Sequence, residues 1–206
     1  MFPKRLFARV QLSRLDRIDT YMMDAAGIQR ATILGAGTMG NGIAQVCAQA
    51  GMDSVLFDVS GEALARGLEG IESMLQKAVE KGKKTPEQAD TALSRIRPSS
   101  DLADAVGEAD LVIEAVPEDL DLKKTVFAQI EEMVGPSTLL ATNTSSLSID
   151  AIGASLTSPE RFLGMHFFNP VPVMALLEVV RGEKTGSQWL DLAVAIGVRL
   201  GKEPIV

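Results

Sequence analysis

The chain has 206 residues, 46% of them hydrophobic, enough for one large domain or two small ones with a sizeable core. Its net charge of −7 argues against a nucleic-acid partner, because phosphate backbones demand a basic face. A single cysteine, Cys47, rules out an intrachain disulfide and fits a reducing compartment. One histidine and one cysteine cannot furnish a zinc-type ligand set, and no run of about 18 apolar residues offers a membrane span.

Met1 to about Gly27 stands apart from the rest of the chain. It carries Lys4, Arg5, Arg9, Arg14 and Arg17, and its first acid is Asp16. The simplest reading is a dispensable N-terminal tail over 1–28, with natural start positions at Met22 and Met23. The location is then cytoplasmic. An Arg-rich amphipathic start also fits a mitochondrial transit peptide, which would place the protein in the matrix.

From Gln29 the chain alternates strand and helix. Ala31–Leu34 is a short β-rich run ending at glycine. Asn41–Ala50 has helical spacing, and Gly51 stops it; Cys47 falls on its apolar stripe. Ser54–Asp58 reads as a second strand. Ser60 is an expected N-cap for a long helix to about Lys81, and Thr85-Pro86 opens another after a short loop. Ala109–Val116 is an expected buried strand, followed by a helix over Leu120–Met133 and a strand over Thr138–Thr142. Two more strands are expected at Arg161–Phe168 and Leu176–Val180. A helix over Gln188–Leu200 precedes the start of a strand at Lys202–Val206. Such alternation predicts a doubly wound, mostly parallel sheet, with a long helical hairpin inserted after the second strand. The chain stops within a strand and has no polar tail, which suggests a fragment of a longer protein.

Gly35-Ala36-Gly37-Thr38-Met39-Gly40 is a G-x-G-x-x-G that follows an expected strand and opens an expected helix. Gly35 permits the tight turn, Gly37 lets the backbone approach a pyrophosphate, and Gly40 allows close helix–strand packing. Asp58 ends the second strand, eighteen residues after Gly40. A carboxylate there can accept from the adenosine ribose hydroxyls and would repel a 2′-phosphate, so NAD is favoured over NADP. FAD is the competing cofactor.

The sole histidine, His166, is the only residue available for histidine-based proton transfer. A satisfied core histidine is the bland alternative. Three segments bear on the choice: Glu114-Ala-Val-Pro-Glu118, Asn143-Thr-Ser-Ser-Leu147, and His166-Phe-Phe-Asn-Pro-Val-Pro-Val-Met174 running on to Glu178. With the glycine loop, they closely resemble the NAD-binding domain of the L-3-hydroxyacyl-CoA dehydrogenases, over about Gln29 to Val206.

The resemblance implies a Rossmann-type fold and oxidation of an (S)-3-hydroxyacyl-CoA to the 3-ketoacyl-CoA, with NAD as cofactor. It implies His166 as general base and Glu178 as the group that orients its ring. It implies Ser145 on the substrate oxygen near the nicotinamide and Asn169 on the nicotinamide side of the cofactor. Glu118 and Lys123 match further NAD contacts, and Lys81 loosely matches a lysine on the CoA phosphates. Blander readings make Ser145 a cap for a helix near Ser148, Glu178 a surface charge, and Lys81 part of a solvated run with Lys83 and Lys84.

The chain departs from the family pattern at Ala175, where lysine is common. It also ends before an expected Asp-x-Pro-Gly-Phe segment and all-helical domain, which in the family supplies a catalytic asparagine, much of the acyl pocket and the homodimer contact. The expectation is therefore a cofactor domain nearly inactive alone. A sugar-acid dehydrogenase of the same superfamily fits less well, because those enzymes resemble His-Pro-x-Asn-Pro-Pro where this chain has Phe167 and Phe168. A non-catalytic NAD-binding remnant is the other alternative. A tyrosine-based short-chain dehydrogenase is disfavoured, since the only tyrosine, Tyr21, precedes the cofactor loop.

Overall fold

The fold is known from a computed structural model that describes residues 25–206. The Arg-rich start, with Tyr21, Met22 and Met23, lies outside the described residues. Eight strands form one sheet in the order β3-β2-β1-β4-β5-β6-β7-β8. They are β1 (Arg30–Leu34), β2 (Asp53–Phe57), β3 (Ile96–Ser99), β4 (Leu111–Glu114), β5 (Leu139–Thr142), β6 (Phe162–Phe167), β7 (Leu176–Arg181) and β8 (Glu203–Ile205). Strands β1 to β6 run parallel, β7 is antiparallel to β6, and β8 is parallel to β7. The chain order reverses on either side of β1, which opens a crevice at the carboxyl ends of the strands.

Among the described residues, seven α-helices link the strands: α1 (Thr38–Gln49), α2 (Gly61–Glu80), α3 (Pro86–Ser94), α4 (Leu102–Val106), α5 (Leu120–Glu131), α6 (Ile149–Gly153) and α7 (Ser187–Arg199). Residues of α1, α2, α3 and α7 share one apolar cluster with one sheet face, and those of α4, α5 and α6 share a second. This is the expected doubly wound arrangement, with α2 and α3 as the inserted hairpin. Ser60 caps α2 through the Ala63 N–H, and Thr85 and Gln88 cap α3 reciprocally. No described helix is long and apolar enough to cross a membrane.

Three details differ from the sequence reading. The helix expected from Asn41 begins at Thr38, within the glycine loop. The strand expected over Ala109–Val116 is only Leu111–Glu114. Just outside it, the Asp110 and Ala115 N–H groups still donate to the Arg30 and Leu34 carbonyls of β1, while the Asp110 carboxylate accepts from the N–H groups of Gln29 and Arg30 and the Glu114 carboxylate accepts from the Val116 N–H. The edge strand β3 and the five-residue α4 were not expected.

Cys47 is fully buried in α1, and burial pushes its thiol up to about 12. The thiolate is the reactive form. The folded protein should therefore resist iodoacetamide at neutral pH and react once unfolded. Fast alkylation under native conditions would contradict this packing.

Candidate active site

Five strand ends meet at the carboxyl edge, and each delivers part of a site. At the end of β1, Gly35 turns with φ +102°, and a Cβ there would sit 2.7 Å from the Ala115 carbonyl oxygen. A Cβ on Gly40 would lie 1.7 Å from the Gly35 carbonyl, so only glycine lets α1 begin this close to β1. A Cβ on Gly37 would meet nothing within 4 Å. That open position faces an α1 N-terminus with no side-chain cap and no acid in its first turn. The helices α2 to α6 all have side-chain caps. Free N–H groups, open space and the helix dipole fit a bound pyrophosphate.

Asp58, just past β2, ties this loop down. One carboxylate oxygen accepts from the Ala36 N–H and the other from the Ser60 N–H, both at 2.9 Å. Each oxygen keeps a lone pair for a ribose hydroxyl. The donor set thus fits a dinucleotide with an unmodified ribose.

At the ends of β4 and β5 lies a buried ion network that the sequence reading missed. Glu114 and Lys123, 0% and 1% exposed, pair at 2.6 Å. Glu114 also accepts from the Thr142 hydroxyl at 2.7 Å and from the Val116 N–H at 2.7 Å. Lys123 reaches on to the Val116 carbonyl and to Glu118, each at 3.3 Å. Glu118 in turn accepts from the Thr144 hydroxyl, the Ser145 N–H at 3.1 Å and the Ser146 hydroxyl at 3.3 Å. Burial works against its charge, but Thr144, Lys123 and Ser145 together hold its carboxyl below the usual carboxylate range. The ammonium of Lys123 lies under the loop, and its visible work is to hold Glu118 and, through it, the Ser145 turn.

Ser145 itself is exposed at the edge. Ser148, not Ser145 or Ser146, caps α6, accepting from the Ala151 N–H. The capping explanation for Ser145 is thereby removed. Asn143, unassigned in the sequence reading, uses its Oδ1 to accept from the Phe167 N–H at 2.8 Å, joining this loop to β6.

The antiparallel register sets His166 of β6 directly opposite Glu178 of β7. Their side chains meet with Nδ1 2.8 Å from Oε2. The carboxylate can only accept, so the neutral ring carries its proton on Nδ1 and its lone pair on Nε2. His166 is 17% exposed, shielded in part by the Phe168 ring at 4.5 Å between centroids. It is neither a sealed core histidine nor a free surface one. Three strand spacings, roughly 14 Å, separate β6 from β1 across the edge. Asn169 is exposed in the loop after β6.

Lys81 is not brought to this cluster. It ends α2, exposed, eleven residues beyond Gly70, or roughly 16 Å along the helix. A Cβ on Gly70 would lie 3.2 Å from the side chain of Asn41 in α1, which marks where α2 leaves the cofactor helix.

Residues 30–206 match the family described as 3-hydroxyacyl-CoA dehydrogenase, NAD binding domain. The chain is 46% identical over 178 residues to the 3-hydroxyadipyl-CoA dehydrogenase of Escherichia coli (strain K12), a match that covers 86% of this chain and 37% of that protein. It is 44% identical over 183 residues to the fatty acid oxidation complex subunit alpha of Psychrobacter sp. (strain PRwf-1), covering 89% and 25% respectively. Among solved structures, the (S)-3-hydroxybutyryl-CoA dehydrogenase of Ralstonia eutropha superposes with a TM-score of 0.84 at 44% identity, covering 87% of this chain and 63% of that one. The chain thus spans between a quarter and two-fifths of these two curated relatives. On a family match over nearly all the described residues, the same fold and close relatives, the chain belongs to the 3-hydroxyacyl-CoA dehydrogenase family, as its NAD-binding domain.

Proposed function

We propose that residues 29–206 form the cofactor half of an NAD-dependent enzyme that oxidises (S)-3-hydroxyacyl-CoA to 3-ketoacyl-CoA in fatty-acid oxidation. The observation that carries this reading is the His166–Glu178 pair, held face to face on the sheet edge that also carries the glycine loop. His166 Nε2 takes the proton of the substrate 3-hydroxyl. Glu178 keeps the ring in the right tautomer and stabilises the imidazolium. Ser145 donates to the substrate oxygen from the turn that Glu118 holds.

NAD, when bound, would supply the hydride acceptor. Gly35, Ala36, Gly37, Thr38, Met39 and Gly40 hold its pyrophosphate, and Asp58 its adenosine ribose. Asn169 would contact the nicotinamide side, and Glu118 and Lys123 would support the stretch between. Lys81 is reserved for the far end of a CoA chain. We place the enzyme in the cytoplasm and infer a homodimer in the longer protein, with no nucleic-acid or membrane partner.

The test is a fluorescence titration of this domain. NADH should bind saturably and NADPH more weakly, because the Asp58 carboxylate would face a 2′-phosphate. Equal affinities would remove the role given to Asp58.

A further inference from the structure

Lys202 is a buried cation that nothing in the proposed chemistry uses. It is 8% exposed, and no carboxylate among the described residues lies within ion-pair distance. Burial holds its pKa below the ordinary lysine value. An ammonium buried without a counter-charge is costly, and methionine would fill similar space without that cost. Its position therefore asks for another reason.

The reason lies in its partners. Lys202 Nζ donates to the Val171 carbonyl and, at 2.8 Å, to the Met174 carbonyl. Both belong to the Phe168–Ala175 connection between β6 and β7, the strands that carry His166 and Glu178. Val171 is 2% exposed, so its carbonyl would otherwise lack a ladder partner in a buried place. The helix end aims the lysine there. Gly201 sits at φ +73°, and the Lys202 N–H returns to the Gly197 carbonyl, so the chain turns back beneath the loop.

The other side of Val171 makes the second contact. Its side chain fills a notch on the cofactor helix α1, where a Cβ on Gly42 would lie 2.9 Å from the Val171 Cβ. Within the loop, the Pro170 carbonyl accepts from the N–H groups of Val173 and Met174. The Ala175 carbonyl accepts from the Glu203 N–H at 2.7 Å. One residue, Val171, is thus held by Lys202 through its carbonyl and seated on α1 through its side chain.

We propose that Lys202 is a positioning residue, which fixes the β6–β7 loop against the cofactor helix and so sets Asn169 and the His166–Glu178 pair relative to bound cofactor. Lys202 touches neither cofactor nor substrate in this assignment. The proposal rests on the function proposed above and adds to it a residue from outside the site.

The test compares Lys202→Met, which keeps the volume and removes the donors, with Lys202→Arg, which keeps a cation and its donors. Arg199→Met is the stability control. Arg199 binds the carbonyls of Ala25 and Ile28, ahead of the interior strand β1, and of Ala50, at the C-terminal end of α1 away from the glycine loop. Three readouts are taken: thermal melting, the dissociation constant for NADH, and the nitrogen-15 spectrum of the imidazole without cofactor. The chain has one histidine, so that spectrum belongs to His166 alone.

Lys202→Met should bind NADH about tenfold more weakly and shift the His166 ring resonances, consistent with loss of charge-assisted hydrogen bonds. Lys202→Arg should recover part of both. Arg199→Met should lower the melting temperature and leave both unchanged. If Lys202→Met does not fold, Lys202→Gln, with two amide N–H donors on a shorter stem, is read instead and should show the same changes to a smaller degree. A folded Met or Gln variant with native NADH affinity and a native imidazole spectrum would overturn the proposal, whatever its melting temperature. Failure of the unaltered domain to bind NADH would instead overturn the cofactor reading on which it rests.

Discussion

Replacing His166 with glutamine in the full-length enzyme should lower kcat by about 10²–10⁴-fold while NADH affinity stays nearly native. Glutamine can fill part of the space and still meet Glu178, but an amide cannot take a proton at neutral pH. The pyrophosphate and ribose contacts assigned to the glycine loop, after β1, and Asp58, after β2, lie about three and four strand spacings away and are untouched. Glu178→Gln should also lower kcat, because the imidazolium loses its counter-charge at 2.8 Å. Steady-state kinetics beside an NADH titration separates the two effects. Near-native turnover by His166→Gln would remove the acid–base role.

The second large effect is on stability. Lys123→Met should cost about 3–5 kcal/mol, because it leaves the fully buried Glu114 carboxylate without its cation. A domain's whole stability is about 5–15 kcal/mol, so the variant should unfold at far lower denaturant. Adding Glu114→Gln removes the stranded charge and should return part of that loss, a coupling expected of residues in one network. The Thr142 hydroxyl would still have an acceptor in that double variant. Urea unfolding of the single and double variants checks this. A Lys123→Met chain within about 1 kcal/mol of the parent would show that the pair is not the keystone of the β4–β5 end.

The fold was largely legible because its signals are local. Glycine after a β-rich run, helical spacing from Asn41, and caps at Ser60 and Thr85 all act over a few residues. β3 escaped because Arg97 and Pro98 interrupt any apolar pattern, which an edge strand tolerates. α4 escaped because five residues are too few to show a period. The antiparallel turn into β7 was readable in principle: the eight residues from Phe168 to Ala175 are too few for a crossover between parallel strands.

The dyad was visible through a resemblance, and the register then gave it geometry. Glu114 was different. It falls within the expected buried strand Ala109–Val116, but the sequence names no partner for its charge, and only the fold brings Lys123 and Thr142 onto it. Lys202 likewise reads as an ordinary strand-entry lysine until Val171 and Met174 are placed over it. Long-range polar contacts leave no periodic trace, so the residues that hold a site are harder to read than those expected to act in it.

The most direct test of the account is oxidation of NADH by acetoacetyl-CoA, followed by loss of NADH absorbance, in this domain alone and in a longer chain that continues into the expected helical domain. The longer chain should turn over and its His166→Gln variant should not. The domain alone should bind NADH yet be nearly inactive, since misplacing the reacting carbon by about 1 Å already costs about 10²-fold. A longer chain that binds NADH but never oxidises it with a 3-ketoacyl-CoA would contradict the proposed reaction.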